Sequence, residues 1–81
     1  MPVSIFTLEK VRRREGSSWS VMARVSCDKD PEAEGKVIDY LISKCEPHPD
    51  WFWVIGKWTQ RDTFGVATFY DCDYFYDSRN Q

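Results

Sequence analysis

Trp51-Phe52-Trp53-Val54-Ile55-Gly56-Lys57-Trp58, followed closely by Phe64-Gly65-Val66-Ala67-Thr68-Phe69-Tyr70, decides the fold class. Aromatic and β-branched side chains dominate both stretches, and such residues fit the pleated surface of a sheet. Successive strand residues face opposite ways, so Trp51, Trp53 and Ile55 share one side and Phe52 and Val54 the other. Both sides are apolar. A single helix can cover one of them, and a chain of 81 residues has little left to cover the second.

That helix is legible just upstream. Asp30 suits an N-cap, Pro31 suits the first helical position, and Glu32 and Glu34 complement the positive end of the helix. Ala33, Val37, Leu41 and Cys45 recur at i, i+4 steps, with Ile38 and Ile42 widening the stripe. Gly35 weakens the first turn by about 1 kcal/mol relative to Ala unless close packing against the sheet requires it. Pro47-His48-Pro49 ends the helix, because a residue preceding proline is pushed out of the α region.

Further upstream, Val3 to Arg14 reads as a strand that turns at Glu15-Gly16-Ser17-Ser18. The next strand, Trp19 to Cys27, alternates cleanly, which predicts one face shared by Trp19, Val21, Ala23, Val25 and Cys27. Downstream, a third strand runs from Trp51 to about Thr59 and a turn at Gln60-Arg61-Asp62-Thr63 follows. A fourth strand then runs from Phe64 to about Phe75. The order ββαββ predicts a four-stranded antiparallel sheet with one helix packed on one face, a single α+β domain over residues 1–81.

Composition limits the function classes. With 42 % hydrophobic and 16 % aromatic residues the chain is too apolar to be disordered. No apolar run approaches the roughly 20 residues of a membrane helix, and Met1-Pro2-Val3-Ser4-Ile5 has no signal-peptide pattern. Cys27, Cys45 and Cys72 are an odd number at wide spacings, which reads as free thiols in a reducing cytoplasm. Residues 1–27 hold five basic and two acidic side chains, residues 28–61 five and seven, and residues 62–81 one and four. A basic beginning and an acidic end favour oriented association with a charged partner.

Four patterns bear on chemistry. His48-Pro49-Asp50, with Tyr40 eight residues before the His, resembles the J-domain of co-chaperones between Tyr40 and Asp50. The resemblance would imply an all-helical domain with another helix after the loop, whereas Trp51 onward is strand. Cys45-Glu46-Pro47-His48 is one close C-x-x-H pair, and small zinc domains usually offer two, so no metal site is assigned. Asp71 and Asp73 share a strand face with Asp77 behind, but no phosphate loop or nearby lysine makes them a Mg²⁺ site. The only histidine, His48, lies between prolines with no nucleophile elbow, so neither a catalytic residue nor a cofactor is expected.

Two binding readings remain. The aromatic surplus predicts a solvent-facing patch that contacts another protein, with Trp51, Trp53, Trp58, Lys57, Arg61 and Phe64 as candidates. On this reading Phe52, Val54 and Phe69 lie under the helix. The alternative is a single-stranded nucleic-acid platform, using Lys10, Arg12, Arg13 and Arg14 beside the same rings. An isoelectric point near 5.3 argues against nucleic acid. The expectation is therefore a small cytoplasmic protein-binding module without catalysis. In general character it looks like the small phage-encoded inhibitors that occlude a host enzyme or defence complex. Self-association through the exposed sheet is a second outlet for the same surface.

Overall fold

The computed structural model describes residues 2–14 and 19–80. Its elements are β1 (Val3–Arg12), β2 (Trp19–Asp28), α1 (Pro31–Ser43), β3 (Trp51–Phe64), β4 (Ala67–Asp77) and a 3-10 turn, Ser78–Asn80. The strands form one antiparallel sheet in the order β2-β1-β3-β4, and α1 lies across one face. This is the predicted α+β architecture. The turn expected at Glu15-Gly16-Ser17-Ser18 lies outside the described residues.

Local chemistry sets the helix ends. The Asp30 carboxylate accepts the Ala33 backbone N–H at 3.0 Å, and Pro31 opens the first turn. At the far end the Lys44 N–H returns to the Leu41 carbonyl. Leu41 is fully buried, and Val37, Ile38 and Cys45 pack with it against Phe6, Leu8 and Ile55. Ile42 turns outward at 37 % exposure, so the apolar stripe is narrower than the sequence pattern predicts. The first turn is also bonded to the sheet, because Glu34 accepts from Ser4 at 2.6 Å and from Lys57 at 2.9 Å.

Three bulges redistribute side chains between the faces. In β2, Leu8 pairs with Ala23 but Glu9 pairs with Val21, which leaves Met22 unmatched. Such an insertion inverts the alternation beyond it. Ala23, Val25 and Cys27 pack beneath the helix, whereas Trp19 and Val21 emerge on the helix-free face. The single face expected for all five is thus divided at Met22. In β4 the unmatched residue is Phe75, whose ring meets Phe6 edge-on at 6.1 Å on the helix side. In β3 it is Arg61.

The last bulge explains a second correction. Gln60–Thr63, expected as a turn, stays within β3, and the chain reverses at Gly65-Val66. Gly65 has φ of +59° while no described non-glycine residue is positive, as a two-residue turn with glycine first requires. β1 accompanies β3 only over Trp51–Trp58. Beyond that point β3 and β4 continue as a two-stranded arm, giving the molecule extents of 42 × 29 × 17 Å.

The faces of β3 are the reverse of those expected. Trp53 and Ile55 lie on the helix side, with Ile55 fully buried. Phe52 and Val54 form a second small core with Val11 on the opposite face. The expectation rested on an indole N–H needing access to water. Trp53 instead donates to the Glu46 carbonyl at 2.9 Å, in the connector that follows the helix. Phe69, expected under the helix, is half exposed on the arm.

Candidate protein-binding face

Cations cover one end of the helix-free face in part, leaving a groove of about 320 Å³ between Arg13, Trp19, Phe52, Tyr74 and Arg79, and the other end is open. At the partly covered end, the Arg79 guanidinium lies 3.8 Å from the Phe52 ring centre, and Arg13 lies 5.9 Å from it. Asp77 holds Arg79 at 2.6 Å, so the C-terminal turn covers the Val11-Phe52-Val54 core. The cations here act as lids on an aromatic ring.

At the open end the four strands enclose a shallow groove of about 310 Å³. Ile5 and Thr7 come from β1, Val21 and Arg24 from β2, Trp58 from β3 and Tyr70 from β4. The Met22 bulge is what turns Val21 onto this face. Tyr70 reaches it from the base of the arm, where it pairs with Gln60. The Trp58 indole N–H donates to the Thr7 hydroxyl at 2.8 Å, which fixes the ring as one wall.

A buried polar floor runs away from the groove. Thr7 donates onward to the Glu9 carboxylate at 3.2 Å, and Glu9 is only 6 % exposed. Tyr74 is nearly half exposed, yet its hydroxyl turns inward to Glu9. Loss of solvent around that hydroxyl, and then the bond to Glu9, push the phenol far above its ordinary range. Trp19 leans on the same ring at 5.5 Å. Burial also raises the Cys72 thiol above its usual value. The floor therefore carries a hydrogen-bonded chain from Trp58 through Thr7 to Glu9 that holds the Trp58 wall in place.

The structure does not bring the sequence-derived candidates together. Trp58 alone lies in the groove. Trp51 is stacked on His48 at 3.3 Å, with Lys10 over it at 4.4 Å, on the helix side of the sheet. Trp53 belongs to the core margin, and Lys57 is bonded to Glu34. Arg61 bonds Asp62 and Asp71 on the arm, and Phe64 lies beside Phe69 near the arm's tip. Of the basic run, Lys10 and Arg13 are placed over rings, while Arg12 and Arg14 are exposed at the end of β1.

Nothing in the sequence marks Ile5, Val21, Arg24 or Tyr70 as contact residues. Ile5 and Tyr70 carry an ordinary strand signature, and only strand pairing shows that they face Val21 and Trp58. The Cys45 and His48 pair is likewise engaged internally, Cys45 with the Leu41 carbonyl and His48 with Trp51 and the Asp50 N–H. No described helix is long and apolar enough to cross a membrane. Compared with protein-family models, curated proteins and solved structures, the chain matches none.

Proposed function

We propose that this chain is a non-catalytic protein-binding module whose contact surface is the open end of the helix-free sheet face. The observation that carries this reading is the groove between Ile5, Val21, Trp58 and Tyr70, an apolar surface continuous across all four strands. Val21 and Tyr70 are 61 % and 41 % exposed, so a partner would remove much apolar area from water there. Trp58 is held in place before any partner arrives, which lowers the entropy cost of docking. The module acts by covering or bridging a surface of its partner.

The test is affinity capture from cell lysate with and without nuclease, comparing the native chain with Val21→Asp and Tyr70→Ala. A protein captured after nuclease by the native chain and lost with both variants supports the reading. Equal capture by all three overturns it. Loss of all bound material on nuclease treatment favours nucleic acid instead.

A further inference from the structure

We infer that the groove takes an acidic, apolar peptide segment of the partner, with a bulky apolar side chain between Val21, Trp58 and Tyr70 and a neighbouring carboxylate on Arg24. This rests on the reading of the helix-free face given above and specifies the chemistry of its partner.

Arg24 carries the inference. Most of the other described cations are occupied: Lys57 by Glu34, Lys36 by Glu32, Arg61 by Asp62 and Asp71, and Arg79 by Asp77. Lys10, Arg13 and Lys44 lie over aromatic rings. Arg24 differs from these. It stands opposite Thr7 in the β1–β2 ladder and borders the groove, and among the described residues nothing pairs with its guanidinium. Glu9, the buried acid of the floor, accepts from the Thr7 hydroxyl at 3.2 Å.

A neutral apolar segment would take water from this guanidinium and return no partner, which costs free energy. A basic segment would add like-charge repulsion. A carboxylate can accept two parallel N–H bonds from arginine, and bonds of that kind are stronger beside apolar walls than in open water. The cavity itself lies at the small end of the range of about 300–1,000 Å³ typical of ligand sites, which suits a side chain rather than a cofactor. Two of its walls, Ile5 and Val21, are aliphatic, which fits an apolar side chain better than a stacked base.

The experiment selects a randomised-peptide display library on three baits: the native chain, Arg24→Gln and Val21→Asp. Both positions are exposed, and matching denaturation midpoints establish that the variants fold. The native bait should enrich peptides with Asp or Glu beside Leu, Phe or Trp. A synthetic peptide of that sequence should bind about tenfold or more weakly to Arg24→Gln, with partial recovery in Arg24→Lys. Apolar peptides without an acidic preference, or affinity unchanged in Arg24→Gln, overturn the acidic partner and leave the face intact. No enrichment, or equal enrichment on Val21→Asp, overturns the face and the inference together.

Discussion

Lys57 Nζ lies 2.9 Å from Glu34 Oε1, so an ion pair ties the third strand to the first turn of the helix. The other Glu34 oxygen accepts the hydroxyl of buried Ser4, which brings β1 into the same junction. These bonds, Ser4 first and Lys57 second, hold the Glu34 carboxyl below the ordinary carboxylate range. A carboxyl depressed by folding stabilises the native state above its unfolded value, and that stability is lost as pH falls through the folded value. The native chain should therefore be more stable than Glu34→Gln at neutral pH. The gap between their denaturation midpoints should narrow as pH drops below the ordinary carboxylate range. Asp77, depressed by Arg79, adds its own acid loss to both chains, so the difference isolates Glu34. A gap independent of pH would contradict the assignment.

Gly35 sits inside the helix although nothing lies within 4 Å of where its Cβ would be. Packing therefore does not demand glycine here, and the position only loses backbone entropy on folding. Gly35→Ala should raise stability by about 0.5–1 kcal/mol, measured by thermal or urea denaturation.

Gly56 is the opposite case. A Cβ there would stand 2.8 Å from the Cys72 sulfur and 3.0 Å from the Tyr74 ring. Gly56→Ala should cost about 1–3 kcal/mol through overpacking. Adding Cys72→Ala should return part of that loss, because it removes the nearer obstacle. A double-mutant cycle with no coupling would place the strain elsewhere.

The helix-free face should behave as two regions. Phe52 is 7 % exposed under Arg79, and Phe52→Ala should cost about 3–5 kcal/mol, enough to unfold much of so small a domain. Tyr70→Ala, in the open region, should change stability by no more than about 0.5 kcal/mol. Equal losses at the two positions would mean that the groove is part of the core.

Asp30 accepts the Ala33 N–H, which has no other acceptor within the helix. Asp30→Ala should lower stability by about 1 kcal/mol in the same denaturation assay. Unchanged midpoints would move the helix start away from Asp30.

The element order, the helix and its N-cap, and the α+β class were legible because each depends on neighbours in the chain. Asp30 and Pro31 act within one turn, and the stripe of Val37 and Leu41 follows the helical repeat. The faces of the strands were less legible. One unmatched residue, Met22, moves Trp19 and Val21 to the other side of the sheet, and alternation alone contains no sign of it. The same applies to Arg61, whose bulge lets β3 continue through a stretch that reads as a turn.

One helix between two hairpins, and more aromatic surface than that helix can cover, follow from the order of residues along the chain. Where the surplus goes depends on contacts made across the folded sheet. Trp53 found a hydrogen-bond acceptor at Glu46 and moved to the helix side, while Arg79 came back from the C-terminus to cover Phe52. Part of it stays open between Val21, Trp58 and Tyr70, with Arg24 at the rim, and part on the arm at Phe64 and Phe69. Propensity, capping and periodicity act over a few residues. Burial and polar pairing are settled by groups such as Thr7 and Trp58, which are 51 positions apart and meet only when the sheet forms.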